Sequence, residues 1–341
     1  MASTDLHTAA RAGILSTVPR ELLTHENLSA PNASGHTPIH QAARYGGLED
    51  LPPGVVTSAL MSVRNDAGYT PVHMAAIGGH LDQLPEGFLT RDFLLERSNA
   101  GYTVFHLAAA HGSIEQLPRE FLTPDLCHLR NDLGNTLLHD AAENGRFKDL
   151  PRRMIDRSAL HLRNISGESV FHVAALNGHL DQLPHEEITR EALMETTHSG
   201  DTVIHAAAIA GHLWQIPWQH LVEETLLARS RSGFTTLHAA AESGQLDVIP
   251  EGQLTKAMLT VANDNGDTPL HAAAAGGYLC QVPTELLTMD ALMTRNNHGL
   301  TVGALAIASG YLSHIPVELR PKPSRLRSFL EKSGLSRPPF A

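Results

Sequence analysis

Histidine is the side chain best suited to hold a metal or relay a proton near neutral pH, and this chain carries 22 of them. Nine recur at one spacing: His7, His40, His73, His106, His139, His172, His205, His238 and His271. Packed elements sit about 8–10 Å apart, so successive members of the column cannot share a zinc ion at about 2.0–2.1 Å per ligand. His185, His198 and His220 fall off the column and have no partner at metal-ligand spacing. The sequence contains no His-Glu-x-x-His, no phosphate-cradling Gly-x-x-x-x-Gly-Lys-Ser/Thr and no Gly-x-Ser-x-Gly elbow. Cys127 stands in a column otherwise filled by Leu28, Leu94, Leu160 and Leu259, which makes it a core residue. Cys280 replaces Glu49, Asp82 and Asp181 of its own column, which points to an exposed thiol. Cys280 has no base beside it in sequence. The expectation is a chain without catalytic residues, metal or cofactor, and not an enzyme.

What positions these residues is a repeat. In rows of 33 the chain aligns with itself, without insertion, from residue 2 to residue 331. One glycine column runs through ten units from Gly13, Gly46 and Gly79 to Gly310, and a proline column runs from Pro19, Pro52 and Pro85 to Pro316. Each unit opens on a version of Gly-x-Thr-Pro-Leu-His-x-Ala-Ala-x-x-Gly, cleanest at Gly266 to Gly277. Thr37, Thr70 and Thr268 are suited to cap a helix, with Pro38, Pro71 and Pro269 at its first position. The Ala-Ala pairs leave no bulk between neighbouring helices, and the glycine that follows can end the helix at positive φ. Runs such as Asn65-Asp66-Ala67-Gly68 are tight turns between units.

The second half of each unit reads Leu-x-x-Leu-Pro-x-x-x-Leu-Thr-x-x-x-Leu, as at Leu81, Leu84, Pro85, Leu89, Thr90 and Leu94. A proline inside a helix costs about 3 kcal/mol. Ten of them predict short helical turns, one ending before the proline, one starting at it and a last one opening at the threonine. Thr24, Thr57, Thr90, Thr123, Thr189, Thr255 and Thr288 are placed to cap that last turn; Asp156 can do so in its unit, and Val222 cannot.

The Thr-Pro-Leu-His-x-Ala motif at period 33 resembles the ankyrin repeat, over about 330 of the 341 residues. The resemblance implies an all-α solenoid of ten 33-residue units, with the proline-split second helix as a departure from the family pattern. It also implies that the column histidine is structural, bonding loop backbone to hold the turn. The expected layout is a repeat array over 1–316, its degenerate last unit running to about 331, and a basic region over 317–341. In the last unit Val302-Gly303-Ala304 replaces Pro-Leu-His. Ser324 to Lys332 then reads as a short capping helix over the open apolar end, followed by a loose tail at 335–341.

By the same resemblance, partners bind the concave face, made by the residues beside the turn glycine and those after the Ala-Ala pair. Those positions hold His36, Arg44 and Tyr45, then Tyr69 and Ile77, then Tyr102 and His111. Leu133, Asn135 and Glu143 follow, then Glu168 and Leu176, then His198, Asp201 and Ile209, then Phe234 and Glu242. Three of the five tyrosines fall here in consecutive units, either as binding anchors or as aromatics packed on the next unit. A second patch is Trp214 with Trp218, both in normally polar columns of one unit. These two serve as a contact site or cover a local packing defect.

The net charge is −11, yet residues 317–341 hold six bases against two acids, so the body is more acidic than the whole. Such a body repels phosphate backbones and anionic membranes. The expected function is a non-catalytic scaffold that recognises a partner protein or peptide, preferably one with a basic patch, through the concave face. The alternatives are an inhibitor or immunity factor of an enzyme, or an effector delivered into a host. No apolar run reaches the roughly 20 residues of a membrane helix. The absence of a secretory signal region and the two cysteines fit a reducing cytoplasm, with export by a signal-less route left open.

Overall fold

The structure, a computed structural model, describes residues 5–85, 87–250 and 252–320. The fold is all-α, with longer helices separated by short helical turns. The capping helix and tail expected beyond residue 323 lie outside the described residues. Contacts divide the chain between Val170 and Phe171 into two compact units. The first holds α1 (Leu6–Arg11), α2 (Pro38–Tyr45), α3 (Pro71–Gly78), α4 (Val104–His111) and α5 (Leu137–Glu143). After α6 (Val170–Asn177) at the division, the second holds α7 (Val203–Ile209), α8 (Thr236–Glu242), α9 (Pro269–Gly276) and α10 (Val302–Ala308). From α2 onward each helix starts 33 residues after the one before. Within the first unit each helix packs on the next, α1 through α5, and within the second α7 through α10 do the same.

Local chemistry explains why a helix of only two turns forms at each position. Thr70 keeps extended backbone, accepts from the His73 N–H, and gives its own N–H to His73 Nδ1 at 3.2 Å. Pro71 follows at the first helical position with φ already set for the helix. The helix ends on Gly79 at φ 75°, a left-handed conformation that a side chain resists. Both alanines of each pair in α2, α3, α4 and α5 are fully buried. Isolated helices this short are marginal in water, so the stability comes from this close sideways packing. At the turn between units Gly68 has φ 77°, and a Cβ built there would lie 2.7 Å from the Asn99 backbone nitrogen. Only glycine allows the two turns to stack that tightly.

Among the described residues the proline half is split into short pieces, with all three predicted turns in the first and the fourth to seventh repeats; the second keeps only the threonine turn, Ser58–Met61, and the ninth lacks the piece after Pro283. In the third repeat a 3-10 turn at Leu81–Gln83 stops at Leu84, whose ψ of 132° is the extended conformation a following proline imposes. In the fourth, Ile114–Gln116, Arg119–Phe121 and Pro124–His128 are three separate pieces. The threonine caps hold at Thr24, Thr57, Thr189, Thr255 and Thr288, each accepting a backbone N–H two or three residues into the turn. Asp156 accepts from Ser158 in the same role. Thr90 and Thr123 make no such bond; Thr123 turns its hydroxyl to Asp125 instead. At Val222 the roles reverse, and Thr225 Oγ1 accepts the Val222 N–H at 3.2 Å.

Side-chain ladders tie one repeat to the next. Gln116 takes the Leu81 N–H at 2.9 Å and donates to the Gly79 carbonyl at 2.7 Å, so it bridges into the preceding repeat. Arg97 donates to the Arg130 carbonyl at 2.9 Å and pairs with Asp132 at 2.8 Å. Arg130 repeats the pattern toward the Gly134 and Arg163 carbonyls. No helix among the described residues is long and apolar enough to cross a membrane.

Candidate functional site

The histidine column proves to be framework. His40 Nδ1 accepts the Thr37 N–H at 3.2 Å, which leaves the proton on Nε2 to be donated to the Tyr69 carbonyl at 2.9 Å. His73 does the same toward Tyr102 at 3.2 Å and His238 toward Asp267 at 2.8 Å, in each case 29 residues ahead. Burial pushes His40, His73, His106 and His238 down to about 4. A neutral imidazole with both nitrogens engaged is neither a metal ligand nor a proton relay. Among the described residues no group of three or more His, Cys, Asp or Glu side chains could hold a metal. Cys127 is buried, donates to the Met154 carbonyl, and its thiol is pushed up to about 11 by burial; Cys280 is exposed.

Each histidine carries the turn residue above it into place. His36 meets His40 edge-on with ring centroids 5.8 Å apart. Tyr69 and His73 are 5.7 Å apart, Tyr102 and His106 6.1 Å, and Phe234 and His238 5.1 Å. Tyr69, Tyr102 and Phe234 are half-buried, with one side packed on the framework and the other open. Tyr45, at the end of α2, is exposed between the guanidinium groups of Arg11 and Arg44, at 5.9 and 5.7 Å from its ring centroid. Ile77 is half-buried and His111 exposed at the matching ends of α3 and α4. Partial burial first, then Arg44 and Arg146, hold His111 below the usual imidazole range. Leu133 stands out at its turn at 49% exposure, and Glu143 is exposed at the end of α5. Asn135 is instead buried, and Glu168 is half-buried with a bond from Asn164.

In the second unit Asp201 is half-buried, accepting from Ser199 by its side chain and from His172 by its carbonyl. His198, Ile209 and Glu242 are exposed, and Leu176 is half-buried. Phe234, His238, Glu242, Asp267, His271, Ala272 and Ala275 line a groove of about 380 Å³. Trp214 and Trp218 are the most exposed aromatics among the described residues, at 63% and 69%. They belong to two short turns on either side of Pro217.

Two features of the face were not singled out from sequence. Asp140 in α5 is buried, although its column holds Met74, Leu107 and Val173 in neighbouring repeats; an acid in an apolar column was the available signal. The groove was not foreseen because its depth comes from Ala272 standing where Met74 and Leu107 stand in the first unit.

No family model matches the chain, and no curated protein does. Among solved structures it is similar to a chain of the complex of the Bd0816 predatory endopeptidase from Bdellovibrio bacteriovorus with immunity protein Bd3460. The identity is 24%, the TM-score 0.40, and the match covers 53% of this chain and 97% of that one.

Proposed function

We propose that the chain is a non-catalytic, ankyrin-type array of ten 33-residue units over 1–316, the degenerate last one running to about 331, that binds another protein. Its binding face is formed by the turn tips and the ends of the first helices. One observation carries this. The Thr, His, Gly and Ala-Ala columns are near-constant and spent on internal contacts, whereas the tip positions vary and present large, half-open side chains such as Tyr69, Tyr102 and Phe234. Rigid aromatics with a polar tip and a pre-set orientation are what protein hot spots use. The acidic body favours a basic partner, mostly through the rate of encounter.

The test is affinity capture from the native cell with the wild-type chain and with Tyr69→Ala/Tyr102→Ala. Loss of the captured protein at unchanged melting temperature supports the face; equal recovery removes it. If the captured protein is an enzyme, assaying it with and without the chain separates an inhibitor or immunity factor from a passive scaffold.

A further inference from the structure

Asp140 is at the fourth position of α5 and is 2% exposed. Its Oδ2 is fully buried and has no hydrogen-bond partner among the described residues. Beside it runs a short chain of amides: Asn164 Nδ2 is shared between Glu168 Oε2 at 2.8 Å and Asn135 Oδ1 at 3.0 Å, and Asn135 favours the charged form of the carboxyl. Burial outweighs that pull, and one oxygen is left unanswered. Orphaned buried acceptors are rare in folded proteins because each one costs the solvation it has lost. An apolar residue of the type found at Leu107 would fill the same column without that cost.

What surrounds this oxygen is suited to a cation. Tyr69 and Tyr102 lie within electrostatic reach of Asp140, and burial first, then Asp140 and Glu143, push the Tyr102 phenol up to about 12. Burial first, then Glu143, also holds the Asp140 carboxyl well above the usual range. An arriving positive charge would therefore restore its ionisation. Aromatic faces beside a carboxylate match a guanidinium better than an ammonium, because the planar group stacks and bonds two oxygens at once. Both tyrosines sit at turn tips, where side chains commonly re-orient when interfaces form.

We infer that the buried Asp140 carboxyl, with Glu143 one turn further along α5 and Tyr69 and Tyr102 within its electrostatic reach, is the receptor for an arginine side chain of the bound protein. This rests on the proposed binding face and names the chemistry at its centre.

The probe is the pentapeptide acetyl-Ala-Ala-Arg-Ala-Ala-amide, with the Gln version as control, titrated into the full chain and followed by the amide signals of Asn135 and Glu143. Saturable shifts at millimolar Arg peptide, absent with the Gln peptide, are expected. Asp140→Asn and Asp140→Leu should each weaken the response by about tenfold or more, and Asp140→Leu should melt higher than the wild type. No shift with wild type, shifts confined to residues such as Glu242 and Asp267, or an undiminished response in both variants would overturn the inference. Should Asp140→Leu fail to fold, the isosteric Asp140→Asn decides. Capture of the native partner separates the two levels. If Asp140→Asn leaves capture intact while the tyrosine substitutions abolish it, the face stands and the arginine receptor falls. If neither change reduces capture, the face itself falls.

Discussion

The two units build their open faces on the same histidine framework and arrive at different surfaces. In the first, the tips and helix ends carry Tyr45, Tyr69 and Tyr102, and the column of Ala272 holds the larger Met74 and Leu107. In the second, Ala272 and Ala275 lower the floor, and the result is a groove walled by Phe234, Glu242 and Asp267. The backbone keeps one pattern in α3–α4 and α8–α9, a capping-box start and a two-turn helix, with α8 alone a residue shorter and capped by Ser243 in place of a left-handed glycine. The scaffold is thus separable from the surface, and a few side chains per repeat decide what the face can hold.

The largest effect expected from breaking the comparison is acidification. His40, His73 and His106 of the first unit and His238 of the second have folded values near 4, below the ordinary 6.5. A depressed histidine binds fewer protons folded than unfolded. The stability it protects is therefore present above pH 6.5 and is lost as pH falls toward 4. His205 and His271 of the second unit are lowered too, by a smaller step; since each unit of displacement is worth about 1.4 kcal/mol, the three large displacements of the first unit weigh more than the one large and two smaller ones of the second. Hydrogen exchange at pH 7, 5 and 4 should show 38–111 losing protection before 203–276. Equal loss would mean that the two frameworks are electrostatically alike. Next in size is His73→Ala, which strands the half-buried Tyr102 and Glu96 carbonyls; a loss of about 1–3 kcal/mol in thermal or urea melts is expected.

Filling the groove sharpens the comparison at lower cost. Ala272→Leu copies the residue at 107 and should change stability by no more than about 1–3 kcal/mol. Binding that uses the groove should fall, while binding through Tyr69 and Tyr102 should not, as calorimetry with a captured partner would show. The smallest effect belongs to the tryptophans. Trp214→Gln and Trp218→Gln should each move stability by less than about 0.5 kcal/mol, and iodide should quench both indoles in the free chain.

What was legible in sequence is what acts locally. Threonine caps, the Pro71 type of helix start and the helix-splitting prolines each exert their effect within four residues, so their spacing discloses them. Thr90 and Thr123 escaped because a capping hydroxyl has competitors, such as Asp125 beside Thr123. The arginine column at Arg64, Arg97 and Arg130 was present at period 33, yet its targets include carbonyls of the next repeat, which no side-chain pattern reveals. Asp140 and the groove depend on burial and on what the neighbouring repeats omit. Those properties belong to the stacked form, and the residue string holds only their hints.

The most direct measurement is an exchange or cross-linking footprint of the chain with its captured partner bound. Protection should gather at the turn tips around His36, Tyr69 and Tyr102 or around Phe234, and at the ends of α2 to α4 or α8. Protection confined to the proline turns, such as those at Pro118 or Pro217, with the tips unchanged, would contradict the proposed face.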